Sequence, residues 1–195
     1  MFEIMESPPF LTGQLLLSMP GIGDDRFDRT VIAMCLHDDA GALGLIINRP
    51  HPDMTLHRLL KQLEIAPGAA PDVPVLAGGP VEPGRGFVLH EAEYAAAGTI
   101  RVGDAWAFTS TLDILKAIAR GDGPKRWHMV LGYAGWDAGQ LDGDGDPMTD
   151  IPVVYVIFPG GTCAARCTRG DVASFHTKSD REAWSRWRKS TEKKK

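Results

Sequence analysis

Apolar positions in this chain fall into short runs separated by turn residues, and the densest runs come first. Leu15-Leu16-Leu17 ends at Ser18-Met19-Pro20-Gly21, the pattern of a strand leaving the core into a turn. Thr30 to Leu36 (TVIAMCL) is apolar at consecutive positions and rich in β-formers, which predicts a strand covered on both faces. Ala42 to Ile47 has the same character. The link between them, His37-Asp38-Asp39-Ala40-Gly41, is polar and ends in a glycine suited to the left-handed position of a type I turn with a bulge. The two runs therefore predict an antiparallel hairpin with Cys35 inside it.

Further along, the period changes. Met54 to Leu63 places Leu56, Leu59, Leu60 and Leu63 at helical spacing behind a capping Thr55. Pro67 to Pro74 reads as a connector, Val75 to Ala77 as a strand end, Gly78-Gly79-Pro80 as a turn and Gly86 to His90 as a strand. Thr99–Val102 and Ala105–Phe108 predict two short strands joined by Gly103-Asp104. Ser110 to Asp113 has capping-box spacing, with Asp in place of the preferred Glu or Gln. It opens a helix from Leu112 to Arg120 that Gly121 closes. Its expected core stripe is Leu112, Leu115, Ile118 and Ala119. Trp127 to Leu131 predicts a strand that runs into a strand-to-helix corner at Gly132-Tyr133-Ala134-Gly135-Trp136.

Motifs for chemistry are incomplete wherever they begin. Gly21-Ile22-Gly23 starts a dinucleotide fingerprint, but Arg26 stands at the third glycine and no apolar helix follows; a tight turn with Phe27 tucked onto the core fits better. His90-Glu91 opens a zinc-protease pattern that Tyr94 breaks at the second histidine. Two features stay open. Asn48-Arg49-Pro50 ends a buried strand, where the polar pair is either a hydrogen-bonded corner or the lip of a site, and arginine offers a fixed fork for carboxylate or phosphate. The segment from Gly78 to Gly86 is either a hairpin loop or a backbone nest for an anion with Arg85 beside it. Candidate ligand-binding residues are accordingly Asn48, Arg49, Gly78, Gly79, Arg85 and His90. No catalytic set, cofactor motif or metal set is expected.

Three ordered segments carry a family resemblance: LTGQLLLSMPGIGDDRFDRTVIAMCLHDDAGALGLIINRP (Leu11 to Pro50), VLAGGPVEPGRGFVLH (Val75 to His90) and LGYAGWDAGQL (Leu131 to Leu141). Together they resemble the bacterial AlgH/YqgE family. The resemblance implies a single compact α+β domain with a large, mostly antiparallel, partly barrel-like sheet and a few helices. It also implies a cytosolic bacterial protein of a kind often labelled a transcriptional regulator. The family brings no agreed catalytic residues to carry over.

Composition adds bounds. The 195 residues suffice for one domain with a real core, and 44% hydrophobic with 24% charged residues is ordinary for a globular protein. No apolar run approaches the ~18–20 residues of a membrane span. The opening MFEIMESPPF has acids and prolines where a signal peptide has basic residues, so a cytoplasmic location is expected. Three cysteines do not suggest a disulfide framework. The net charge is −4; the residues after Leu141 carry +2, which leaves −6 for the part that resembles the family. That balance disfavours specific nucleic-acid binding by residues 1–140.

After Leu141 the resemblance stops. Where the family has a Glu- and Ala-rich helix and a last strand, this chain gives glycines, aspartates and Pro147, which end a helix within a turn or two. The expected organisation is a domain over residues 1–141 and a divergent tail over 142–195, for which a reading-frame shift is the simplest origin. Asp142, Asp144 and Asp146 begin a calcium loop that Pro147 and Val153 break, and Cys163, Cys167 and His176 lack a fourth metal ligand. Asp180 to Lys195 predicts a basic helix with Trp184 and Trp187. Val153 to Phe158 is strongly strand-forming and is free to add to a vacant sheet edge. Two functions remain in play: a non-catalytic regulatory or interaction protein with a partner not identified by the sequence, or a small-molecule or anion-binding protein or enzyme with a site near Asn48, Arg49 and the Gly78-Gly79-Pro80 turn.

Overall fold

The computed structural model describes residues 10–18, 24–104 and 106–141, together with the main chain of three strands at 154–157, 163–166 and 172–174. The elements are β1 (Leu15–Ser18), β2 (Val31–Asp38), β3 (Gly41–Ile46), β4 (Pro50–Thr55), α1 (Leu56–Gln62), β5 (Pro74–Ala77), β6 (Val81–Glu91) and β7 (Thr99–Val102). They continue with β8 (Trp106–Thr109), α2 (Leu112–Arg120), β9 (Trp127–Asp137), β10 (Val154–Ile157), β11 (Cys163–Arg166) and β12 (Val172–Ser174). One 12-stranded sheet runs β12-β11-β10-β1-β2-β3-β9-β6-β8-β7, with β5 lying between β4 and β9 off that path. Every pairing is antiparallel except the short parallel contact of β5 with β9. The fold is α+β, a curled half-barrel sheet with two helices among the described residues.

The consecutive apolar runs explain the curl. On β6, Val88 faces the two helices, where it joins Leu56, Leu60, Ile114, Leu115 and Met129. Its neighbours Phe87 and Leu89 face the other way and join Cys35, Leu45, Phe108 and Val130 inside the curved sheet. A strand buried on both faces must be apolar at every position, which is the pattern that Phe87-Val88-Leu89 and Met129-Val130-Leu131 follow. A third cluster, from Leu16, Ile32, Met34, Ile46 and Trp136, takes in Phe27 and so anchors the loop before β2.

The hairpin of β2 and β3 is present, and its strands extend to the pair Asp38 and Gly41 around a two-residue turn. The pairing shifts between Met34 and Leu36, so Cys35 is the extra residue of a bulge and is fully buried. Thr55 caps α1 by accepting from Arg58 N–H, as its position implied.

Four local expectations are corrected. The segment after β5 is not a hairpin loop: β5 and β6 do not pair with each other but flank β9, and β6 already begins at Val81. Gly132–Trp136 is no corner, because β9 continues as a strand to Asp137. No capping box opens α2; its N-cap is Thr111, which makes no side-chain cap bond. The helix spans Leu112–Arg120 as expected, but Leu112 is not core: it is 51% exposed, and the buried face is centred on Ile114, Leu115 and Ile118. Pro50–Thr55 is a strand that periodicity does not reveal, with two prolines and His51 at its positions.

Candidate functional site

Asn48 and Arg49 follow β3 and turn back onto the loop that precedes β2. The Asn48 amide bridges two backbone groups: its oxygen accepts from Val31 N–H at 2.8 Å and its nitrogen donates to the Arg29 carbonyl at 2.9 Å. The Arg49 guanidinium donates to the carbonyls of Arg26 (2.7 Å), Asp25 (3.2 Å) and Asp28 (3.1 Å). A planar fork can reach three carbonyls converging in a tight loop, whereas an ammonium has no such fixed geometry. Within that loop Asp24 grips Arg26, and this side-chain hydrogen bond holds the Asp24 carboxyl below its ordinary range.

Gly78 and Gly79 carry the chain from one flank of β9 to the other. Gly78 N–H donates to the Leu131 carbonyl and its own carbonyl accepts from Ile46 N–H, so both groups are held in the sheet. A Cβ on Gly79, whose φ is +153°, would sit 2.1 Å from the Tyr133 carbonyl carbon. Opposite, Gly132 has φ +73°, and a Cβ there would lie 2.6 Å from the Gly79 carbonyl oxygen. Three glycines thus let backbone cross on backbone.

Arg85 is exposed, paired with Glu82 at 3.3 Å and lying over the Phe87 ring at 5.3 Å. His90 is buried. Its Nδ1 lies 2.8 Å from the Glu91 carbonyl, which can only accept, so Nδ1 carries a proton. In the neutral ring Nε2 then accepts from the Thr109 hydroxyl at 2.9 Å; Thr99 lies 2.7 Å behind Thr109 and accepts from Ala96 N–H. The chain of donors is complete without any outside group.

The structure brings four of the six candidates together and leaves Arg85 and His90 apart from each other. Asn48, Arg49, Gly78 and Gly79 are neighbours, since Ala77 N–H donates to the Arg49 carbonyl. Along β9, Gly86 pairs with Leu131 and His90 with Trp127, a separation of four residues and about 13 Å at ~3.3 Å per residue. None of the six lines a groove of about 120 Å³ between α1 and α2. Its lining includes Leu59, Leu63, Leu112, Leu115 and Met129, with Ser110 and Thr111. No ionisable side chain lines it. Sequence reasoning missed this groove because Leu63 and Leu112 read as core positions; they are 37% and 51% exposed. Among the described residues no group of three or more His, Cys, Asp or Glu could hold a metal ion, and no helix is long and apolar enough to cross a membrane.

A curled antiparallel sheet with two covering helices among the described residues defines an α+β domain. The chain belongs to the AlgH-like family, whose model matches residues 15–146. A UPF0301 protein of Rhizorhabdus wittichii is 58% identical over 140 residues, 72% of this chain and 75% of that one. A UPF0301 protein of Rhodospirillum rubrum is 54% identical over 136 residues, 69% of this chain and 71% of its own length. The solution structure of the AlgH protein from Pseudomonas aeruginosa superposes with a TM-score of 0.64 at 35% identity, covering 80% of each chain. The crystal structure of DIP2367 from Corynebacterium diphtheriae, at 18% identity, shares the fold with a TM-score of 0.56 over 72% of this chain and 74% of that one.

Proposed function

We propose that this protein is a non-catalytic regulatory or interaction module that works in the cytoplasm. The observation that carries the reading is the fate of its polar side chains. The Asn48 amide, the Arg49 fork and the His90 ring, the groups best suited to recognise or transform a ligand, are each engaged by the protein's own backbone or by Thr109. The groove between the helices, in turn, has hydroxyls from Thr109, Ser110 and Thr111 in its lining but no ionisable side chain there to activate one as a nucleophile.

The competing reading is an anion or small-molecule site at Asn48, Arg49 and Gly78-Gly79-Pro80. It requires Arg49 to leave three carbonyls. A thermal-shift screen against inorganic phosphate, nucleotides and common carboxylate metabolites separates the two, because a ligand at about 100 times its dissociation constant stabilises by about 2.7 kcal/mol. The expected result is no saturable shift. A saturable shift that Arg49→Ala abolishes would overturn the module reading and install the anion site.

A further inference from the structure

β6 has a strand on both sides only from Val88 onward. β8 runs beside it from Glu91 back to Val88, where Thr109 is the last paired residue, and the chain then enters α2. On the other side β9 continues past that point and pairs with Phe87 and Gly86. Two bonds fix which way the main chain of Gly86 faces. Glu91 N–H donates to the Arg126 carbonyl on the β9 side. Alternate residues of a strand point their main-chain groups alternate ways, so Phe87 faces β9 and Gly86 faces away from it. The Leu131 carbonyl opposite Gly86 agrees, since it accepts from Gly78 N–H on the far flank of β9. Gly86 therefore presents both its N–H and its C=O toward the line of β8, where the described residues supply no strand.

We propose that Gly86 and the groove beside it accept one extended residue of a partner protein, a neutral apolar residue of leucine size that pairs antiparallel with Gly86 through the main chain. This rests on the reading of the protein as an interaction module and names the kind of partner. An N–H and a C=O open on one side of one residue are matched by the C=O and N–H of another extended residue, the pairing by which peptides add to sheet edges. Register then sets where the partner's side chain goes, because opposed residues put their side chains on the same face. The Gly86 face is the helix side: a Cβ there would meet Met129 Cε at 2.8 Å, in the cluster that Val88 joins. The partner's side chain thus enters the groove that Gly86 lines together with Leu59, Leu63, Leu112 and Leu115. Gly84 also lines it, and a Cβ there would meet nothing within 4 Å. The hollow of about 120 Å³ is close to the ~150 Å³ apolar cavity that holds a benzene ring, so one such side chain fills it. Charge selects the residue type. No ionisable side chain lines the groove, so an ammonium or carboxylate seated there would lose its hydration without gaining a partner.

The test titrates the isotope-labelled full chain with N-acetyl-leucine N-methylamide and reads the backbone amides by NMR. A neutral ligand of this size binds with a dissociation constant of about 1 mM, so the titration runs to roughly 20 mM. Saturable shifts at Gly86, Thr111 and Leu112 are expected. The lysine analogue should bind about ten-fold more weakly or worse, because it buries an ammonium. The analogue methylated on the leucine nitrogen should weaken to about the same degree, because it leaves the Gly86 carbonyl unpaired. 3-Methylbutan-1-ol, which has the branched apolar group and no main chain, should leave the Gly86 amide unmoved. Leu63→Lys with Leu112→Lys, two exposed groove positions, should abolish the shifts, and Ile100→Lys, exposed on β7, should leave them as they were. No saturable shift with the leucine probe, equal binding of either analogue, an equal Gly86 shift with the alcohol, or binding that survives the double lysine variant would each overturn the proposal. Should that variant fail to fold, the ligand series decides alone. Any of these outcomes strikes the groove and spares the module reading, which falls instead to a saturable anion shift that Arg49→Ala abolishes.

Discussion

A single missing Cβ decides whether β9 can be crossed. Gly132 sits at φ +73°, a backbone conformation that costs an L-residue of order 1–3 kcal/mol, with the Gly79 carbonyl where a methyl would go. Gly132→Ala is therefore expected to destabilise by more than ~1 kcal/mol, since an alanine at positive φ loses more than the entropy it saves. Gly84→Ala is its control, because a Cβ there meets nothing within 4 Å. Urea unfolding of the two variants checks the contrast, and equal midpoints would contradict the crossing. A second residue, Glu91, ties the start of β9 to β6. Its carboxylate accepts from Lys125 N–H at 2.9 Å and from Arg126 Nε at 3.3 Å, and these bonds, the backbone one foremost, hold its pKa below the ordinary 4.5. A carboxylate whose folded pKa is depressed adds stability that is complete above its unfolded value and lost as pH falls through the folded one. Glu91→Gln should thus be less stable than the parent near neutral pH. The difference should shrink below 4.5, as the parent's glutamate takes up its proton; a gap that stays constant down that range would contradict it.

At the level of elements, α2 shows what periodicity can and cannot assign. Leu112 and Leu115 lie three apart and look equivalent in the sequence, and both line the groove, yet Leu112 is 51% exposed and Leu115 is buried in the core. Leu115→Ala is expected to lose about 2–5 kcal/mol through a lost contact and a cavity, while Leu112→Ser should stay within about 0.5 kcal/mol of the parent. Thermal or urea midpoints decide this, and a large loss at Leu112 would place it in the core after all. Local signals were legible where one element supplied them: the TVIAMCL and Ala42–Ile47 runs became β2 and β3, Thr55 capped α1, and Gly121 closed α2 in the left-handed conformation with φ +85°. The crossing at β9 was not legible, because Gly78-Gly79 and Gly132 are brought together only by the pairing of strands some fifty residues apart. Turn chemistry reads the same whether a Gly-Gly-Pro closes a hairpin or passes over a neighbour. The candidate site suffered similarly. Asn48 and Arg49 were visible as a polar pair at a strand end, but the carbonyls they hold lie about twenty residues earlier.

For the whole molecule, the unresolved step in its history is the tail. The chain matches the AlgH-like family over residues 15–146 and runs on to residue 195, while a relative 58% identical over 140 residues has a quarter of its own length outside that match. Gradual divergence lowers identity along a chain; a change of reading frame replaces it at one point. The net charge is −6 over residues 1–141 and +2 beyond them. The pairing of β10 with β1 is compatible with such an origin, because a β-branched run such as Val153 to Phe158 needs only main-chain bonds to take a vacant edge. The tail's partial motifs, Asp142, Asp144, Asp146, Cys167 and His176, and its basic segment 180–195, lie outside the described residues; an out-of-frame origin leaves them without selected roles. Translating the coding DNA in the other two frames from the codon of Leu141 is expected to yield an acidic, Ala-rich helix and a final strand. A chain rebuilt with that segment should unfold at higher urea than the present one, since a helix designed for the domain covers apolar surface that a chance segment does not. If neither frame encodes such a segment, the tail is a genuine divergence, and its aspartate and cysteine pairs become the first positions to test for a bound cation.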